Sequence, residues 1–244
     1  MVSKSQIKLI TSLAQKKYRS RQGLFVVEGL KSIREFLAAN FVLEVLYTTG
    51  ERFNVSASKL NEVNEAALKK ISFLKTPQKA LAVFKIPGEK NIDFPQFYLA
   101  LDGIRDPGNL GTIIRLCDWY GMQKLVCSKD TVDCFNPKVV QASMGSLARV
   151  NVVYTGLTKH LESCGLPVFG AFMDGENVYT SKLPTQGVLV MGNEANGISE
   201  EILPLITHKI SIPQFGEIQE TESLNVATAS AILMSEFKRA DFTR

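Results

Sequence analysis

Ile7, Ile10, Leu13 and Ala14 share one side of a helix drawn over Ser3 to Arg21, the 3.6-residue recurrence of an amphipathic segment. The short apolar run Leu24 to Val27 predicts a strand, and Gly29 to Ala39 predicts a helix with Ile33, Phe36 and Leu37 on its buried face. A strand over Leu43 to Thr48, a helix over Lys59 to Ile71 and a strand over Ala80 to Ile86 follow. Pro87-Gly88-Glu89-Lys90-Asn91 then breaks the periodicity and reads as a linker. Beyond it the pattern predicts strands at Phe97–Leu101, Lys124–Cys127, Val150–Tyr154, Val168–Ala171, Val188–Met191 and Lys209–Ile212. Helices are predicted at Leu110–Tyr120, Pro137–Met144, Thr158–Cys164, Glu200–Leu205 and Leu224–Arg239. Strands alternating with helices predict an α/β class in both parts, with a parallel sheet in the second. The expected domains are 1–90 and 91–244.

The 244 residues leave room for two domains with cores of their own. At 45% hydrophobic and 21% charged, the composition is that of a globular protein. The longest apolar runs fall far short of a membrane span, and the first residues lack the apolar core of a signal peptide. The expectation is a cytoplasmic protein without a membrane partner. Cys117, Cys127, Cys134 and Cys164 include no C-x-x-C pair, so free thiols are expected and no metal site. With only His160 and His208 present, a histidine-based nucleophilic triad is a poor fit.

Charge is divided unevenly. Residues 1–95 hold 16 Lys and Arg against 8 Asp and Glu; residues 96–244 hold 12 against 16, and together they give the chain's +4. A basic front half suits a polyanionic partner. Lys16, Lys17, Arg19 and Arg21 crowd the end of the first helical segment. They suit either the negative end of a helix or the phosphates of RNA.

Ligands of a parallel α/β sheet bind beyond the carboxyl ends of its strands, so three strand-end loops carry the chemistry. The first runs from Asp102 to Arg115, with Asn109 placed to cap the following helix. Arg115 lies off that helix's apolar stripe, with Thr112 and Trp119, either solvated or facing an anion. The second, Gly192-Asn193-Glu194-Ala195-Asn196-Gly197, has the glycine spacing of a P-loop, but Ile198 stands where the lysine is required. No G-x-G-x-x-G fingerprint is present either. The third follows Ile212: Pro213-Gln214-Phe215-Gly216, six more residues, then Ser223-Leu224-Asn225-Val226, with Ser223 a natural N-cap of the last helix.

Together and in this order, the loops resemble the three motifs of the SpoU (TrmH-like) branch of the SPOUT methyltransferases. Those motifs are Asn-Leu-Gly/Ser-x3-Arg, Gly-x-Glu-x-x-Gly and Ile-Pro-x-x-Gly…Ser-Leu-Asn-Val; here they stand at Asn109–Arg115, Gly192–Gly197 and Ile212–Val226. The stretches Ala142–Val150 and Arg21–Gly29 are also similar to the family, the latter to its RNA-binding domain. One departure is the segment Glu217 to Glu222, six residues where the family pattern has three or four.

The resemblance implies an N-terminal α/β domain like ribosomal protein L30e that grips RNA, followed by an α/β catalytic domain. The catalytic domain would carry a parallel sheet and a deep C-terminal trefoil knot. It implies S-adenosylmethionine held by Met191, Gly192, Asn193, Ile212 and Leu224, no metal, and a homodimer. The reaction implied is methylation of a ribose 2′-OH, in ribosomal RNA before transfer RNA. Arg115 is the residue at the 2′-OH, and Asn109, Glu194, Ser223 and Asn225 hold it and the substrate. The alternatives are a tRNA 2′-O-methyltransferase, a base methyltransferase of the same superfamily, and a catalytically silent RNA-binding protein.

Overall fold

A computed structural model describes residues 2–88, 97–216 and 223–239. Two compact units result: residues 2–88 with Asp133–Arg149, and residues 97–132 with 150–216 and 223–239. The expected boundary near residue 90 and the six-residue segment Glu217 to Glu222 lie outside the described residues.

In the first unit the expected helix over Ser3 to Arg21 is two, α1 (Lys4–Ser12) and α2 (Lys16–Gln22). Ser3 caps α1 and pairs reciprocally with Gln6, satisfying two orphan donors of the first turn. Gly23 ends α2 in the left-handed region at φ 63°. Then follow β1 (Leu24–Glu28), α3 (Leu30–Ala38), β2 (Leu43–Thr48), β3 (Leu60–Glu62), α4 (Glu65–Lys69) and β4 (Ala80–Lys85). The strand order is β1-β4-β2-β3, antiparallel except for the β2–β3 pair. The single helix expected over Lys59 to Ile71 is replaced by β3 and α4. Asn64 separates them, its side chain accepting from the Ala67 amide at 2.9 Å, which starts a new helix there.

β1 is buried along its whole length. Leu24 and Val26 join Ile10, Leu13, Ile71 and Leu81 in one cluster. Phe25 meets Phe36, Phe84 and Phe135 at ring-centroid distances of 5.4, 6.0 and 4.6 Å, within aromatic contact range. Phe135 belongs to the segment Asp133–Arg149, which contains α6 (Pro137–Ala142) and packs with this unit. The same segment accounts for Arg19. Its side chain is 2% exposed and donates to the carbonyls of Leu13 and Ala14 at 2.8 and 2.9 Å and from Nε to Asp133 at 2.8 Å. Arg19 is therefore a buried strut rather than a phosphate contact, which corrects the sequence expectation. Lys16, Lys17 and Arg21 are exposed.

The second unit is a six-stranded sheet, β5 (Phe97–Leu101), β6 (Lys124–Ser128), β7 (Asn151–Thr155), β8 (Val168–Asn177), β9 (Gly187–Met191) and β10 (His208–Ser211). Its spatial order is β10-β8-β9-β5-β6-β7 and every pairing is parallel. Helices α5 (Pro107–Trp119), α7 (Leu157–Ser163) and α8 (Val226–Arg239) accompany it. In place of a helix over Glu200 to Leu205 there is one 3-10 turn, Leu203–Leu205, with a proline in its first turn. β9 and most of β5 are buried, with Tyr98, Ala100, Val188 and Val190 sharing one cluster. That is why these strands read as unbroken apolar runs. Phe237 of α8 stacks on Phe97 at 4.6 Å and meets Phe169 edge-on at 5.1 Å. The sequence order reverses direction across the sheet at β5, and a crevice at such a switch point opens at the carboxyl ends of the strands. Among the described residues no helix is long and apolar enough to cross a membrane.

Candidate active site

The loop after β5 begins α5 three residues earlier than the sequence suggests. Asp106, not Asn109, is the N-cap: its carboxylate accepts from the Asn109 amide at 2.8 Å, and Pro107 occupies the first turn, where it is pre-set for a helix. Asn109 consequently sits inside the helix with its side chain free for other partners. Its Nδ2 donates to Glu194 Oε1 at 2.5 Å, and its Oδ1 accepts from Asn225 Nδ2 at 3.0 Å.

Asn225 is also the cap of α8. Its Oδ1 accepts from the amides of Ala227 and Thr228 at 3.0 and 3.3 Å, the pattern of an N-cap asparagine. That corrects the assignment of the cap to Ser223, which is exposed and lines a cavity instead. One side chain thus starts the last helix and joins it to the first loop.

Glu194 is held by the shape of the second loop. Asn193 and Gly197 exchange backbone hydrogen bonds of 2.8 Å in both directions, and Asn193 Oδ1 accepts from the Ala195 amide at 2.9 Å. A Cβ on Gly192 would lie 2.2 Å from the Gly197 carbonyl carbon and 2.3 Å from the Ile198 nitrogen, so this turn closes only with glycine there. Two further bonds tie it to the end of β5. Asn193 Nδ2 donates to the Gly103 carbonyl at 2.6 Å, and Asp102 Oδ2 accepts from the Ser199 amide at 2.7 Å. Asp102, buried at the end of β5, was not singled out from the sequence. Its signal is a carboxylate ending an apolar strand, a position that requires a donor.

The second and third loops border a cavity of about 800 Å³, within the range of small-molecule sites. Met191, Gly192, Asn193, Ile212 and Leu224, the five residues expected at a cofactor, all line it, and so do Glu194 and Ser223. Its inner wall is apolar, with Met191, Ile198, Ile210, Val226 and Leu233 buried. An apolar wall with a few polar groups suits a ligand that is part heterocycle and part charged chain, and S-adenosylmethionine has that composition.

Arg115 is not part of this arrangement. It is exposed on α5, does not line the cavity and forms no ion pair with a described residue. Six residues of helix separate it from Asn109, about 9 Å along the axis and about 120° around it. Trp119, one turn further on the same face, is 83% exposed. Among the described residues no cluster of His, Cys, Asp or Glu is placed to hold a metal ion. Cys117 is buried, which with the nearby Asp118 pushes its thiol pKa up to about 12, so it is no nucleophile at neutral pH.

On the first unit, Lys17 Nζ lies 4.9 Å and the Arg21 guanidinium 5.7 Å from the ring centroid of Tyr18. Cations and an aromatic ring thus share one exposed turn.

Comparison with known proteins fits both units. Residues 96–235 match the model of the SpoU rRNA Methylase family, and residues 4–82 match that of the MRM3-like substrate binding domain. The chain is 30% identical to the 23S rRNA (guanosine(2553)-2′-O)-methyltransferase RlmP of Bacillus subtilis, over 91% of either chain. Its fold is similar to that of a TrmH-family protein from Porphyromonas gingivalis, with TM-score 0.89 and 40% identity over 98% of this chain and 99% of that one. It is also similar to an AdoMet-bound rRNA methyltransferase from Sinorhizobium meliloti, with TM-score 0.87 and 29% identity over 98% and 97%. With the family model spanning more than half of the sequence and a relative 30% identical over 91% of either chain, the chain belongs to the SpoU rRNA methylase family.

Proposed function

We propose that this protein transfers a methyl group from S-adenosylmethionine to a ribose 2′-OH of RNA, with ribosomal RNA as the substrate class. The observation that carries the reading is the hydrogen-bonded series Glu194–Asn109–Asn225, which joins all three motif loops beside the cavity. Ribosomal RNA is favoured because the related Bacillus subtilis and Sinorhizobium meliloti proteins are named for it.

S-adenosylmethionine held against Met191, Gly192, Asn193, Ile212 and Leu224 would supply an electrophilic methyl group on a positively charged sulfur. The chain's own residues must then bring a poor nucleophile into line with it. As the oxygen–methyl bond forms and the sulfur–methyl bond breaks, the hydroxyl proton must leave. A guanidinium stays protonated at neutral pH. Arg115 is therefore assigned the orientation of the 2′-OH and its adjoining phosphate, with the proton leaving to solvent. Glu194, Asn109, Ser223 and Asn225 hold the geometry.

Since Arg115 does not line the cavity of its own protomer, the reading includes a homodimer in which Arg115 of one copy serves the cavity of the other. The exposed Trp119 on the same helical face supports this, because a large bare aromatic is a usual interface anchor. A C-terminal trefoil knot is part of the same reading. It is supported by the match of residues 96–235 to the SpoU family. For the first unit we infer an L30e-like RNA-binding role, with Lys16, Lys17 and Arg21 toward the phosphates, and for the whole protein a cytoplasmic location.

The test is transfer of labelled methyl from S-adenosylmethionine to undermodified RNA, separated into ribosomal and transfer fractions, with Arg115→Ala as control. Alkali-resistant label in ribosomal RNA, absent with the variant, is the expected result. Label in transfer RNA alone would replace the substrate class, and alkali-labile label would indicate base methylation. No label in either fraction, with cofactor binding intact, would favour a catalytically silent RNA-binding protein.

A further inference from the structure

Phe215 lines the cavity of the second unit and is 84% exposed. Most apolar surface of that size is buried, and an aromatic ring left bare beside a binding cavity forgoes the stabilisation of burial. It has company. The Tyr179 ring lies 6.2 Å away, tilted by 42°, and Met173 on the cavity wall is 57% exposed. Pro213, two residues before Phe215, restricts the backbone of the loop that carries the ring.

The inner wall of the cavity is already furnished by buried aliphatic side chains, and Phe215 stands at its solvent side. A ligand arriving from solvent meets Phe215 first. The methyl acceptor is such a ligand, since its ribose must enter the cavity while the rest of the RNA stays outside.

We propose that Phe215, flanked by Tyr179 and Met173, is the stacking platform for the base of the nucleotide whose ribose is methylated. This rests on the reading of the chain as an RNA ribose methyltransferase. A nucleotide whose ribose enters the cavity while its neighbours stay outside gives up part of its stacking on them, and that loss must be offset. An exposed aromatic face offsets it without regard to base identity, because every base has a π-face. Phe215 is therefore a positioning residue that acts on RNA binding and not on the methyl donor.

The test uses full-length protein, tritiated S-adenosylmethionine and unmodified ribosomal RNA transcribed in vitro. KM for the RNA is measured at saturating cofactor, and S-adenosylhomocysteine binding is measured separately by calorimetry without RNA. Phe215→Ala is expected to raise KM for RNA roughly 5- to 100-fold, the range for loss of one base–aromatic stack. Cofactor-product affinity should stay within about twofold, and Phe215→Trp should restore KM. An exposed ring contributes little to folding, so an unchanged thermal midpoint is the control. An unchanged KM for RNA would overturn the proposal. A parallel loss of S-adenosylhomocysteine affinity would also overturn it, assigning the ring to the adenine of the cofactor. If the wild type itself labels no transcript, the methyltransferase reading fails and the platform with it. If the wild type is active and Phe215→Ala behaves identically, only the platform fails.

Discussion

Replacing Asn225 by alanine and by aspartate separates its two tasks. Its Oδ1 caps α8 by accepting from Ala227 and Thr228, while its Nδ2 donates to Asn109. Alanine removes both. Loss of an N-cap costs about 1 kcal/mol, and loss of an exposed hydrogen bond about 0.5–1 kcal/mol more. At roughly 2–4 °C per kcal/mol for a chain of this size, a loss of about 2 kcal/mol lowers the thermal midpoint by about 4–8 °C. Aspartate keeps the acceptor and adds a negative charge at the helix N-terminus, about 0.3–1 kcal/mol in favour of folding, which offsets the roughly 0.5–1 kcal/mol lost with the bond to Asn109, so its midpoint should hold within about 3 °C. It has no donor for Asn109. The Asn109 amide would then stand between two carboxylates, and whichever way it turned, its oxygen would face one of them. Methyl transfer by Asn225→Asp should therefore fall at least tenfold, while stability does not. The assays are thermal unfolding followed by circular dichroism and initial rates of methyl incorporation into RNA. Full turnover by Asn225→Asp would refute the idea that the series Glu194–Asn109–Asn225 shapes the site.

The remaining expectations concern other parts of the molecule. Arg115→Ala and Asn225→Ala, each inactive alone, should regain about a quarter of wild-type activity when mixed and reassembled, because half of randomly paired dimers carry one intact shared site; no regain would place Arg115 with its own protomer's cavity. Asp133→Ala leaves the buried Arg19 guanidinium with only two carbonyl partners and should cost about 3 kcal/mol in urea unfolding; a cost under about 1 kcal/mol would mean the strut is solvated. Burial, and then the charge of Lys124, hold the His160 imidazole below its ordinary pKa of 6.5. The unfolded chain therefore takes up that proton at higher pH than the native one, so stability is fullest above pH 6.5 and falls as the pH drops toward the lowered value. The slope is at most about 1.4 kcal/mol per pH unit, and His160→Gln should flatten this part of the pH profile of urea midpoints.

The parallel sheet was legible because strands buried on both faces leave no polar alternation to obscure them; Val188 to Met191 and Phe97 to Leu101 were readable as they stand. The first unit was harder where its order depends on distant chain. β3 has three residues and exists by pairing with β2, and a run such as Leu60-Asn61-Glu62 carries no local strand signal. Arg19 looked like one cation among four because its carboxylate partner is 114 residues away. The caps failed for a different reason. Asp106 and Asn109 are both good N-caps, as are Ser223 and Asn225, and propensity does not choose between them. Pro107 was the usable sign, since a proline in the first turn fixes the cap just before it.

The cap offsets matter for the chemistry. Had Asn109 capped α5, its side chain would have been spent on the backbone of its own helix, and its bond to Glu194 would be lost. With Asp106 taking that task, Asn109 is free to bridge two loops. Asn225 does both because an amide carries an acceptor and a donor. The same helix shows where adjacency in sequence misleads. Asn109 and Arg115 belong to one motif, yet the helix turns them about 120° apart, so one helix serves two surfaces. Asn109 binds within its own protomer, and Arg115 looks away beside the bare Trp119. A motif that spans two faces of a helix suits the proposed site completed by a second copy of the chain, since Arg115 does not line the cavity of its own chain.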